Sequence, residues 1–118
     1  MEVKGFLFDL LNSPKEIKFE QVMDVIDANY DFVPTSFTNG DLRNEAGENN
    51  GSCKIFAFGL LHKLTEEETL SCFGKFYRVD VLGNPDDKDH QNIRNFIKTG
   101  WGGIKFEQTA LIAKDIDN

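Results

Sequence analysis

Between Cys53 and Lys63 the chain is apolar on two helical faces at once. Cys53, Phe56, Ala57, Leu60 and Leu61 make one stripe, and Ile55, Phe58 and His62 make a second. A helix with one apolar stripe lies on a surface, whereas one apolar on two sides has to be covered from both. The rest of the fold is therefore expected to wrap this segment. Gly59, which costs helix propensity in its middle, is expected at a close helix crossing. Eleven Phe against two Tyr and one Trp suit that arrangement, because Phe fills a core with rings and brings no polar group to satisfy there.

The flanking sequence supplies the wrapping elements. Phe6, Leu7, Leu10 and Leu11 within Val3 to Leu11 share a helical face. Ser13-Pro14-Lys15-Glu16 has the form of a capping box with Pro at the first helical position. It leads to a helix over 19–29 whose apolar face is Phe19, Val22, Met23, Ile26 and Tyr30, with Glu20, Asp24 and Asp27 towards solvent. Tyr30 to Phe37 reads as extended chain, with Pro34 confining any strand to an edge. Asn39-Gly40 favours a type I′ hairpin turn into a short return strand at Leu42. From Thr38 to Ser52 the chain is polar and rich in Gly and Asn, a loop longer than connectivity requires.

Thr65-Glu66-Glu67-Glu68 is a second capping box, with three carboxylates at the positive end of the helix dipole. Its helix is expected to run to about Tyr77, with Thr69, Leu70, Phe73, Phe76 and Tyr77 inward. A turn at 83–87 precedes a last helix from His90 to Thr99, capped by Asp89 and closed by Gly100, that buries Ile93, Phe96 and Ile97. Trp101 follows, Ile104 and Phe106 alternate as in a strand, and the end beyond Lys114 is expected to fray. The expected fold is α+β and mainly helical. It has about four to five helices and a short antiparallel hairpin or small sheet from residues 30–45 and 101–112. With no linker or repeat, residues 1–118 read as a single domain.

Charge narrows the partners. A net charge of −7 without any basic run argues against nucleic acid and against anionic membrane surfaces, both of which attract Lys and Arg. No stretch has the length of a membrane span, and the first residues lack the pattern of a signal peptide. Two cysteines form no disulfide framework and fit a reducing compartment. Cytoplasmic residence is the expectation, so the sequon at Asn50 carries no meaning.

The candidate chemistry is concentrated in two polar runs. Asn44 to Lys54 combines Asn, Gly and Glu with the start of the central helix, where backbone N–H groups can hold an anion, although the spacing is not that of a P-loop. Ser52 is equally a plain helix cap there. Asp89 to Arg94 is the densest polar helical run, with His90 and Arg94 on one face. The two runs are expected to converge on one polar pocket comprising Asn39, Asn44, Glu45, Ser52, Lys54, His90, Asn92 and Arg94. Cys53 sits at a helix start that would lower a thiol pKa, but its place on the apolar stripe predicts a buried, inert group. Cys72 reads as structural too. His62 and His90 are too few for a metal set, so neither a metal nor a cofactor is expected.

Several segments taken together carry a resemblance. Asp24 to Phe32, Phe37-Thr-Asn39-Gly40, Gly51 to Phe56, Cys72-Phe73-Gly74, Asp89 to Phe96 and Thr99-Gly100-Trp101 resemble the HopJ family of type III effector proteins across nearly the whole chain and in order. The resemblance implies a bacterial protein, secretion into a host cell and action on a host target. It implies no catalytic residue or cofactor. Two readings follow. One is an effector-like interaction module acting on a protein partner. The other is a small enzyme or small-molecule- or anion-binding protein, with Glu45 or His90 as acid or base and Arg94 or Lys54 holding an anionic group. A readable nucleophile–base pair is missing, which favours the non-enzymatic side.

Overall fold

A computed structural model describes residues 2–114. The central helix is where the double stripe puts it. Helix α3 (Asn50–Leu61) buries Cys53, Ile55, Phe56 and Phe58, with the two faces occupied by different elements. On one side Phe56 meets the rings of Phe37, Phe73, Phe96 and Trp101. On the other, Phe58 meets Phe6 and Tyr30 in edge-to-face contacts. Burying rings of this size is the largest single source of stability available to a small domain. The stripe ends early, however: Leu60 and Leu61 in the last turn are about half exposed, at 46% and 49%.

Helices α1 (Val3–Asn12) and α2 (Phe19–Asn29) cover the Phe58 side, joined by a single 3-10 turn at Pro14–Glu16. In α1 only Phe6 and Leu10 are buried; Leu11, expected on the same face, is exposed, as is Phe8. The helix is too short for the fold to cover both edges of its stripe. Helix α2 begins and ends where its periodicity predicts, with Val22, Val25 and Ile26 inward.

Among the described residues five short strands form two sheets. Strand β1 (Tyr30–Phe32) pairs antiparallel with β5 (Leu111–Ala113), and β2 (Phe37–Asn39) lies between β3 (Leu42–Asn44) and β4 (Ile104–Phe106), again antiparallel. The β2–β3 hairpin exists, but its two-residue turn is Gly40-Asp41, since Asn39 pairs with Leu42. Only Gly40 has positive φ there (63°), the pattern of a II′ turn rather than I′. Much of the expected 38–52 loop is therefore structured: the hairpin takes its first part, α3 starts three residues before Cys53, and only 45–49 remains as loop.

Helix α4 (Glu66–Ser71) has the expected box. The Glu68 N–H donates to Thr65 Oγ1, and the Thr65 N–H donates to Glu68 Oε1. It stops at Ser71 instead of reaching Tyr77. Gly74 turns the chain at φ +60°, and a six-residue π-helical segment, Phe76–Val81, follows. Helix α5 (Gln91–Thr99) buries Asn92, Ile93, Arg94 and Phe96, whereas Ile97, expected in the core, is exposed. Gly100 closes α5 at φ +59°, and a 3-10 turn (Gly100–Gly103) leads into β4. Gly59 is required for a crossing, but partly an aromatic one. A Cβ there would lie 2.7 Å from Trp101 Cη2 and 2.9 Å from the Thr69 hydroxyl of α4. The expected fraying beyond Lys114 lies outside the described residues. Among those described, no helix is long and apolar enough to cross a membrane.

Candidate functional site

The loop after β3 and the start of α5 do come together, and the joint is made of amides. Alternation along β2 puts Phe37 and Asn39 on one face, towards α5. The Asn39 Nδ2 donates to the backbone oxygen of Asn92 at 2.7 Å and to its Oδ1 at 3.0 Å. Asn44 and Asn92 form a reciprocal pair: Asn44 Nδ2 donates to Asn92 Oδ1 at 3.1 Å, and Asn92 Nδ2 donates to Asn44 Oδ1 at 2.9 Å. Asn49 adds a donor to Asn44 Oδ1 at 2.7 Å. Asn39, Asn44 and Asn92 are buried, so each bond is worth more, and each loss costs more, than at the surface. Among the buried side-chain polar atoms of the described residues, Asn39 Oδ1 alone has no partner.

This seam holds two helix beginnings side by side. Asn49 precedes α3 and His90 precedes α5, and both sit in the left-handed region, at φ 51°, ψ 49° and φ 49°, ψ 50°. Neither side chain caps its helix. The first N–H groups of an α-helix have no intrahelical acceptor, and together they carry about half a positive charge. Between the two first turns lies a groove of about 390 Å³. Asn49, Gly51 and Ser52 line it from α3, His90, Gln91 and Asn92 line it from α5, and Phe19, Phe73, Phe76 and Leu42 supply apolar walls. Although the chain has twenty Asp and Glu, no carboxylate among the described residues lines this groove. The His90 ring packs on Phe76 at 5.2 Å, and its Nε2 lies 3.0 Å from Asp80 Oδ2. Gly51 admits the wall: a Cβ there would come within 2.8 Å of Phe19 Cζ.

Of the residues expected in the pocket, Ser52, His90 and Asn92 line the groove, and Asn39 and Asn44 brace it through Asn92. The other three do not reach it. Glu45 is exposed and paired with Arg43 at 2.7 Å. Lys54 reaches across to Asp27 of α2 at 2.8 Å and lies over the Phe32 ring. Arg94 is turned back on its own helix start, with Nη2 2.6 Å from Asp89 Oδ1 and Nε donating to Asp89 O. That hydrogen bond holds the Asp89 carboxyl below its ordinary range and explains why Asp89 does not cap α5. His90 and Arg94 do share a helical face by spacing, but Arg94 is drawn to the 85–89 turn by Asp89 and Pro85. The acid–base and anion-holding pairs expected from sequence are thus not assembled around His90. The walls Phe19, Phe73 and Phe76 were not foreseen as site residues, because helical spacing assigns each of them to the core.

Neither thiol is set up as a nucleophile. Burial pushes the Cys53 thiol up against the lowering by the Thr35 backbone and Lys54, and pushes Cys72 up to about 12. Among the described residues no group of three or more His, Cys, Asp or Glu is placed to hold a metal ion.

The chain's similarities are consistent with one another. The family model described as HopJ type III effector protein matches residues 3–111. A crystal structure of a protein of unknown function, VPA0580, superposes with a TM-score of 0.96 at 62% identity, covering 97% of this chain and 95% of that one. No curated protein matches.

Proposed function

This chain belongs to the HopJ type III effector protein family, and from that premise we propose that it is a non-catalytic binding protein whose groove receives a small anionic molecule. The observation that carries the reading is the convergence of two helix starts without side-chain caps, α3 and α5, on one groove that no carboxylate of the described residues lines. A ligand with a phosphate or carboxylate head would meet the N–H groups and partial positive charge of both first turns. Its apolar or aromatic body would lie against Phe19, Phe73 and Phe76. The amide seam behind the groove fixes the spacing of the two helix starts before any ligand arrives, which lowers the cost of binding.

The test is calorimetric titration with inorganic phosphate, short carboxylates and adenosine monophosphate, repeated on Ser52→Glu. Position 52 lies in the first turn of α3, where a carboxylate favours the helix, so the variant should keep its melting temperature. Binding should fall about tenfold or more, since the new charge takes the place of the ligand's. Unchanged binding in Ser52→Glu would remove the groove from consideration.

A second reading rests on Leu60 and Leu61, half exposed at the end of α3 beside Phe106 and Leu111. These side chains suit contact with a protein partner, the mode that the family description suggests. Under that reading the protein acts after delivery into a host cell; under the first it acts in the cytoplasm of the cell that makes it. Leu60→Ser with Leu61→Ser would leave small-anion binding intact and abolish partner contact.

A further inference from the structure

A second groove, of about 580 Å³, lies on the far side of the Phe19–Phe76 ring pair. It inverts the charge of the chain. Thirteen Lys and Arg face twenty Asp and Glu in the whole sequence, yet Lys15, Lys18, Lys75 and Arg78 line this groove against Glu16 and Glu20. The cations come from two separate stretches that Gly74 presses together: at φ +60°, a Cβ there would lie 2.8 Å from the Phe19 amide nitrogen and 3.4 Å from the Ile17 oxygen.

Arg78 has a structural task. It donates to the oxygens of Pro14, Ile17 and Ser71, tying the 3-10 turn to the π-helical segment with neutral acceptors only. The three lysines have none: among the described residues, none of them is in an ion pair. Four cations against the two carboxylates of Glu16 and Glu20, none of them in an ion pair among the described residues, repel one another and destabilise the fold slightly. The π-helical winding of Phe76–Val81 that brings Phe76 and Arg78 to this face is itself uncommon and recurs at functional sites. Phe76, at 37% exposure, stands at the rim between the two grooves.

We infer that this basic groove binds the polyphosphate of a phosphorylated small molecule, with Lys15, Lys18 and Lys75 as the phosphate-holding groups. A concave site bordered by a ring suits a compact ligand of high charge rather than an extended acidic chain. The inference stands apart from the groove between α3 and α5, since the lysines that carry it do not line that groove.

The experiment is calorimetric titration of the full chain with inorganic pyrophosphate and with adenosine triphosphate. The proteins are the natural sequence, the double variant Lys18→Gln/Lys75→Gln, and Ser52→Glu. Both lysines are exposed, so the double variant should fold, with a melting temperature equal to or slightly above that of the natural sequence. Pyrophosphate should keep its tighter site in Ser52→Glu, with any weaker phosphate site at the α3–α5 groove lost there, and that tighter site should lose about tenfold or more in the lysine variant, as expected when charge-assisted hydrogen bonds are removed. Equal affinity in the lysine variant, or loss confined to Ser52→Glu, would overturn the inference. So would binding of an oligoglutamate peptide tighter than pyrophosphate, which would identify an acidic protein segment as the occupant.

Discussion

The two sides of α5 are attached to the molecule by opposite kinds of chemistry. Phe96 reaches the ring cluster around Phe56, with centroids 4.9 Å apart, while Asn92 joins the hairpin through paired amides. Ring packing depends mainly on volume, and it tolerates shape changes that conserve volume. The amide seam depends on which atom donates and which accepts, and a buried donor left alone costs more than its bond was worth. One side makes the fold stable; the other makes the placement of the α5 start specific.

That contrast can be broken or sharpened by substitution. Phe56→Ala should have the largest effect, about 3–5 kcal/mol in denaturant unfolding, because a fully buried ring at the centre of four others is removed. Phe56→Met should recover much of that loss. Asn92→Ala should cost about 2–3 kcal/mol, since it leaves the Asn44 amide without its buried acceptor. Asn92→Asp, close in volume, should do no better, because it removes the donor to Asn44 and buries a charge. Recovery in Asn92→Asp would mean that volume rules on both sides, and the contrast would fail. Gly59→Ala should cost about 1–2 kcal/mol by overpacking against Trp101 and Thr69, read as a lowered thermal midpoint.

The smallest effect is one of pH. Burial lowers the His62 pKa below its ordinary value, and Tyr30 Oη lies 2.5 Å from its Nε2. The unfolded chain therefore takes up the proton first as pH falls. The contribution of His62 is fully present above its ordinary pKa and is lost as pH falls through the depressed folded value. The natural sequence should lose more stability than His62→Gln between pH 7.5 and the lower folded pKa. Equal losses in the two proteins would mean that His62 is not part of this linkage.

The ring side was legible in the sequence, and the amide side only as a direction. The double stripe of α3 announces a helix covered twice, and both ring sets are found where its periodicity sends them. The side-chain capping signal was sound at Thr65 and Glu68 but not at Ser13, whose side chain makes no capping bond. Such signals also misled where the backbone does the work. Ser52 and Asp89 look like caps, but the chain enters α3 and α5 through left-handed Asn49 and His90, a geometry that no spacing rule encodes. Proximity of the 44–49 and 90–92 runs could be inferred from their polarity. The directions of Lys54 and Arg94 could not, because Asp27 and Asp89 are partners set by tertiary placement. Ile97 and Leu11 show the same limit for apolar residues: periodicity says which face they share, not how far the neighbouring element extends.

The π-helical segment also makes the chain unusually sensitive to its own length. The Leu82 N–H reaches back five residues to the Tyr77 oxygen, one residue further than an α-helix allows. Removing a single residue between 76 and 81 would let the segment rewind as ordinary α-helix with its hydrogen bonds intact. Every side chain beyond the deletion would then turn to a new bearing, and a deletion at 76 or 77 would carry Arg78 away from the carbonyls it ties. Local geometry would thus accept a deletion that the Arg78 ties would not, so relatives that lack the extra residue should anchor the 14–17 turn by other contacts.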